Sequence, residues 1–145
     1  MHGRTQLLVP AAGMGTRLGA DRPKALIDLA GAPLLVRTLQ RFAPLNLLEG
    51  CIVAIPCGAR ETFEACIGTY LPSIAIVLVD GGSERQASVS NGLDALDPAT
   101  EIVVIHDAAR PFVAMDSVRA SIDAASAFGA STVAVPSTDT ILFAD

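Results

Sequence analysis

Short β-branched or leucine-rich runs alternate with longer helical patterns along this chain, and few folds accept that rhythm. Strands are expected over residues 6–9, 51–55, 74–79, 101–106 and 132–135. Between them, Pro33 opens a helix running to about Phe42, and residues 61–67 make a second. Ser83 with Gln86 reads as a capping box for a third helix reaching about Leu96, because hydroxyl and amide can satisfy first-turn N–H groups. Asp116 or Ser117 is expected to cap a fourth, with Val118, Ile122 and Ala125 on one face and Gly129 as its stop. Strand–helix alternation of this kind implies right-handed crossovers and a mostly parallel sheet between helical layers, a three-layer α/β/α domain.

Ligands of such sheets gather where loops leave the carboxyl ends of the strands. Three motifs fall there: Pro10-Ala11-Ala12-Gly13, Asp80-Gly81-Gly82-Ser83 and Asp107-Ala108-Ala109-Arg110-Pro111. The first is the most telling. An apolar strand runs into a loop of Ala and Gly whose bare backbone N–H groups can face an anion, and fixed charge follows at Arg17, Arg22 and Lys24. It is neither of the two common phosphate loops. A dinucleotide fingerprint needs glycine at position 18, where Leu18 stands with Gly19 one place late, and no Gly-Lys-Ser or Gly-Lys-Thr follows for a Walker loop.

Lys24 is the sole lysine among ten Lys and Arg residues, so whatever a compact ammonium does here is concentrated at one position. Arg17 and Lys24 suit a reaction at a crowded phosphoryl centre, which depends on positioning and on neutralising oxygen charge. The plainer alternative is a pair of solvated surface charges. Asp107 closes a strand and is followed by two alanines, leaving room for Mg²⁺ held by one carboxylate and substrate phosphates; otherwise it caps a turn or pairs with Arg110. His106 reads as a packing residue, since no Ser or Cys partner suggests itself. Gly81 and Gly82 permit close backbone approach. Ser88 either projects toward the same cavity or, as the simpler reading of the residue alone, is a surface serine on a helix.

Composition narrows the partners. The 145 residues are enough for one domain, in which roughly two thirds of the unfolded surface would be buried. A net charge of -5 argues against general binding to nucleic acid or to acidic membranes, so any anion must be held by local design. Cys51, Cys57 and Cys66 are odd in number and lack C-x-x-C spacing, which points to a reduced, cytoplasmic protein without a disulfide framework or zinc site. No apolar run approaches the ~20 residues of a membrane span, and no targeting segment is legible at the N-terminus.

Taken together, Val9-Pro10-Ala11-Ala12-Gly13-x-Gly15-x-Arg17, Arg22-Pro23-Lys24-Ala25, Gly81-Gly82-x-x-Arg85-Gln86-x-Ser88-Val89, His106-Asp107-Ala108-Ala109-Arg110-Pro111 and Val135-Pro136-x-x-Asp139-Thr140 closely resemble the 2-C-methyl-D-erythritol 4-phosphate cytidylyltransferases. The resemblance implies a Rossmann-like nucleotidyltransferase fold and cytidylyl transfer from CTP to the sugar-alcohol phosphate, with release of pyrophosphate, on the non-mevalonate route to isoprenoid precursors. It implies that Arg17 and Lys24 stabilise the transition state and that Asp107 holds Mg²⁺. Pro10, Ala11, Ala12, Gly13, Gly15 and Lys24 would cradle triphosphate and ribose, while Gly81, Gly82, Ser88 and Ala108 would line the cytidine pocket. Ser83 stands where other members often carry an acid. Members also continue well past the position of Asp145, into a dimerisation arm and an acceptor-binding part, so the chain reads as a fragment of a longer, homodimeric enzyme that binds CTP without necessarily turning it over. Ribitol 5-phosphate cytidylyltransferases share the architecture, but their first loop tends to read Ala-Gly-Gly and they tend to carry Val at the place of Ala109. A non-catalytic nucleotide-binding module is the other reading, and it would gain nothing from a paired Arg17 and Lys24.

Overall fold

The computed structural model describes residues 4–15 and 22–136. Strand β1 (Thr5–Pro10) leads through a short 3₁₀ turn at Lys24–Leu26 to helix α1 (Leu34–Phe42). There follow β2 (Cys51–Ile55), α2 (Arg60–Tyr70), β3 (Ile76–Asp80), α3 (Arg85–Leu93), β4 (Ile102–Ile105) and α4 (Met115–Phe128). The four strands form one sheet in the order β3-β2-β1-β4, and every pairing is parallel. The α/β architecture with a parallel sheet is as the alternation predicts.

β1 and β2 are the central strands and read as unbroken apolar runs because both of their faces are covered. Leu7, Val9, Cys51, Val53 and Ile55 point to one side, into a cluster with Leu35, Leu39 and Phe42 of α1, Phe63 and Ile67 of α2, and Val118 and Ile122 of α4. The alternate residues, such as Leu8 and its register partner Ile52, face α3. Full burial of a Leu, Ile or Phe side chain is worth roughly 1.5–3 kcal/mol, so this cluster dominates the stability of the domain. α3 contributes little apolar volume. It lies close on the sheet because its buried positions are Ser88 and Gly92, and a Cβ at Gly92 would run into Leu8.

Four sequence expectations are corrected. The segment 132–135 is not a strand: it has no ladder partner among the described residues, and Val133 and Val135 stand exposed. Its β-branched composition is insufficient alone, because strand preference is realised only against a neighbouring strand. Ser83 does not cap α3. The helix begins at Arg85, with extended Glu84 as its N-cap residue and no capping side chain, so Ser83 lies one place too early. The helix also ends at Leu93, after which tighter bonds such as Ala95 N–H to Gly92 O close the turn. Asp116 and Ser117 fall inside α4 rather than before it; Ala114 precedes the helix, and the Asp116 carboxylate pairs with Arg119 at 3.2 Å. Gly129 does end α4, at φ 88° in the left-handed region that glycine adopts readily.

Candidate functional site

The sheet changes direction of growth between β1 and β4, and an open crevice forms at such a switch point beyond the carboxyl ends of the strands. Each of the three loops that leave these ends is pinned to the sheet by one further ladder bond. Ala11 N–H donates to Ala54 O at 2.7 Å, Gly81 N–H to Ile55 O at 2.7 Å, and His106 N–H to Leu8 O at 3.0 Å. The loops converge on a cavity of about 430 Å³ lined by Pro10, Ala11, Ala12, Gly13, Lys24, Gly82, Ser88, Asp107 and Ala108, with Arg85 and Arg110 at the same wall.

Lys24 is tied to the first loop by its backbone. Its N–H donates to Gly13 O at 3.0 Å, and Gly15, at φ 66°, packs so close that an added Cβ would sit 3.2 Å from Lys24 Cβ. The ammonium therefore starts from a fixed base beside the glycine loop while the side chain stays exposed. A Cβ built at Gly13 meets no atom of the described residues within 4 Å, which leaves space over its backbone on the cavity side. Gly15 lies behind the cavity wall, against Lys24. Arg17 lies outside the described residues.

Gly81 does not itself line the cavity: it is wedged between Ala12 and Ser88, which do, and a Cβ there would be 2.5 Å from Ala12 Cβ and 3.1 Å from Ile55 O. Ser88 is buried, which excludes the surface-serine reading. Its Oγ accepts the Gly82 N–H at 3.0 Å and donates to Glu84 O at 3.1 Å, so the hydroxyl shapes the glycine turn and keeps one acceptor lone pair. Ala108 is also buried, and its carbonyl oxygen accepts a 2.7 Å bond from Thr38 Oγ1.

Asp107 sits at the boundary of the cavity with both oxygens engaged. Oδ1 accepts from Arg85 Nε at 3.0 Å and Nη2 at 2.8 Å, and Oδ2 is 3.1 Å from Arg110 Nε. The pairing with Arg110 raised from the sequence is thus present, and Arg85 adds to it. Among the described residues no three His, Cys, Asp or Glu side chains gather to make a protein cage for a metal. A single carboxylate beside a backbone-lined cavity is a donor set that fits a hard divalent cation taking most of its oxygens from elsewhere. His106 is a packing residue, as expected: its ring lies edge-on to Phe42 at 5.0 Å and Nε2 is 2.9 Å from Arg110 O.

Two site residues escape the sequence reading. Arg85 stands inside a motif, but its partner is 22 positions away, beyond any local pattern. Thr38 carries a weak signal, a lone hydroxyl in the apolar stripe of Leu35, Val36, Leu39 and Phe42. A second and larger opening, about 1220 Å³, runs along β4 and α4 past Phe112 and Val133. It shares Arg85, Asp107, Ala109 and Arg110 with the first cavity.

A parallel sheet with three short loops meeting at its switch point, one glycine-rich and carrying a backbone-held lysine, is an α/β domain of the nucleotidyltransferase fold class. The family model of 2-C-methyl-D-erythritol 4-phosphate cytidylyltransferase (IspD) matches residues 5–145, and the chain belongs to that family. The enzyme of that name from Streptomyces coelicolor is 44% identical over 141 residues, covering 95% of this chain and 52% of the relative. That from Deinococcus radiodurans is 44% identical over 142 residues, covering 98% and 55%. The crystal structure of 4-diphosphocytidyl-2C-methyl-D-erythritol synthase from Anaerococcus prevotii superposes with a TM-score of 0.69 at 26% identity, covering 84% of this chain and 51% of that one. The chain spans about half the length of the curated relatives it matches.

Proposed function

We propose that this chain carries the nucleotide-binding half of cytidylyl transfer from CTP to 2-C-methyl-D-erythritol 4-phosphate, giving 4-diphosphocytidyl-2-C-methyl-D-erythritol and pyrophosphate. The observation that carries the reading is the convergence of Gly13, Lys24, Gly82, Ser88 and Asp107 on one cavity of about 430 Å³, in a chain of this family. In the proposed reaction an oxygen of the acceptor phosphate attacks the α-phosphorus of CTP in line. The bond from that phosphorus to the bridging oxygen of the β-phosphate breaks, and pyrophosphate leaves with the electron pair. Lys24 places a positive charge beside the loop that would hold the phosphates, where it offsets charge building on the oxygens in the transition state. Arg17 supplies a second charge in the same proposal. Asp107 would hold Mg²⁺, which when bound shields phosphate oxygens. Gly81, held by Ile55, Gly82, held by Ser88, and Ala108, held by Thr38, would offer what remains of their backbone edges to the base. We place the activity in the cytoplasm, where the free thiols of Cys51, Cys57 and Cys66 are stable, and in a homodimer.

Calorimetric titration of the chain with CTP and Mg²⁺, beside UTP, ATP and NAD, tests the reading. Preferential CTP binding that weakens in Asp107→Ala is expected. Equal or tighter binding of ATP or NAD would overturn the assignment.

A further inference from the structure

The two openings of the domain share a chain of charged residues. Arg85, Asp107 and Arg110 line both the 430 Å³ cavity and the 1220 Å³ groove, and they are linked to one another through the Asp107 carboxylate. Asp107 is the partly buried member, at 31% side-chain exposure, against 61% for Arg85 and 74% for Arg110. The carboxylate is the more enclosed partner, and both guanidinium groups that bind it are exposed.

The two arginines do not hold Asp107 equally. A carboxylate oxygen has two lone-pair sites. Arg85 fills both on Oδ1 with Nε and Nη2, whereas Arg110 takes one on Oδ2. Arg85 is the first residue of α3, directly after Gly82-Ser83-Glu84, which line the cavity. It therefore joins the loop after β3 to the loop after β4, and its positive charge lies where a cation on Asp107 would have to sit.

From this arrangement we infer that Arg85 is a positioning residue that withholds Asp107 from divalent cations until nucleotide phosphates draw its guanidinium away. This rests on the nucleotide reading above. An arriving triphosphate presents several oxygens of higher charge density than one carboxylate, and a guanidinium prefers such a bidentate anion. When Arg85 turns to the phosphates, Oδ1 is left with both lone-pair sites open and a repelling charge is removed. Cation capture by Asp107 is then coupled to nucleotide arrival, and the ligand-free protein stays largely metal-free.

The test uses Mn²⁺ alone as the probe, followed by its electron paramagnetic resonance, with folding checked by circular dichroism. Arg85→Gln keeps most of the side-chain volume and removes the charge. Coulomb repulsion of a divalent ion by one charge a few ångström away in a wet site is worth about tenfold in affinity. Nucleotide-free Arg85→Gln is accordingly expected to bind Mn²⁺ about tenfold more tightly than the unaltered chain, and Arg85→Gln/Asp107→Asn should lose the gain. Unchanged Mn²⁺ affinity in Arg85→Gln, or a gain that persists without Asp107, would overturn the inference. CTP binding in the absence of metal reads the second half: Arg85→Gln should bind CTP several-fold more weakly, and equal affinity would overturn the exchange. Should the unaltered chain bind no CTP, the nucleotide reading fails, and the Mn²⁺ comparison still decides whether Arg85 guards Asp107.

Discussion

The hydroxyl of Thr38, fully buried in the middle of α1, donates a 2.7 Å hydrogen bond to the carbonyl oxygen of Ala108. The two residues are 70 positions apart, and the bond ties the core helix to the loop after β4, one residue beyond Asp107. Beyond His106, whose N–H makes the last ladder bond, the loop has left the sheet, so its buried carbonyl groups need side-chain partners.

Thr38→Val keeps the shape of the side chain and leaves the Ala108 carbonyl buried and unpaired. Such an orphaned group destabilises by about 1–3 kcal/mol, which urea unfolding would read. Thr38→Ser restores the donor and should recover most of the loss of hydrogen bonding, though not the methyl contact. If Thr38→Val unfolds at the same urea concentration as the unaltered chain, the bond does not anchor the loop.

Gly81 and Gly13 are expected to respond in opposite ways to the same added methyl group. At Gly81 the methyl would press on Ala12 and on the Ile55 carbonyl of the central strand β2, neither of which has room to yield. Overpacking of that kind destabilises by roughly 1–3 kcal/mol, so Gly81→Ala should lower the unfolding midpoint. Among the described residues nothing crowds Gly13, which lines the cavity, and Gly13→Ala should leave stability within about 0.5 kcal/mol while weakening CTP binding. Thermal unfolding and CTP titration of both variants would separate the two roles; loss of stability in Gly13→Ala with tolerance at Gly81 would reverse the assignment.

Much of the sheet and the outline of the site are legible in the sequence for physical reasons that also explain the gaps. β1 and β2 are covered on both faces and so appear as continuous apolar runs, and the loops that leave β1, β3 and β4 at the cavity are marked by Gly and Ala. Residues 132–135 mislead because β-branched composition describes a face, whereas a strand requires a neighbour to pair with. Ser88 misleads in the other direction. A helix that packs through Ser and Gly has no apolar stripe to announce its buried face, and only its closeness to Leu8 shows it. Ser83 and Asp116 miss their capping positions by one or two residues, since any short polar residue near a helix start looks alike in sequence. Arg85 and Thr38 act on partners far along the chain, a relationship that exists only once the sheet has formed.

The thiol of Cys51, buried in β2, is pushed up to about 12 by desolvation, from an ordinary value of 9.0. Its unfolded counterpart loses a proton near pH 9 while the folded one keeps it, so the unfolded state gains stability as pH rises through that window. The sign is a loss of folding stability from about pH 9 upward and no effect below. Each pH unit within the window is worth about 1.4 kcal/mol for one proton. Urea unfolding of the unaltered chain and of Cys51→Ala at increasing pH should therefore give a stability difference that is constant below pH 9 and shifts in favour of Cys51→Ala above it. A difference that stays flat through pH 10 would show that the thiol ionises without penalty in the fold.

Lys24 combines a backbone held by Gly13 with an exposed ammonium, which suits a group that meets its target only as charge develops. In the proposed reaction that target is the α-phosphate at the moment of transfer. Lys24→Ala, assayed in the full-length protein with the acceptor, should lower kcat by about 10²-fold or more, while CTP affinity stays within about tenfold because the backbone cradle remains. Lys24→Arg should restore little, since a planar fork on a longer stem does not place its charge where a compact ammonium does. Measured pyrophosphate release and CTP titration together distinguish the possibilities. Parallel losses in both would make Lys24 a ground-state binding residue, and turnover that survives Lys24→Ala would remove it from the chemistry.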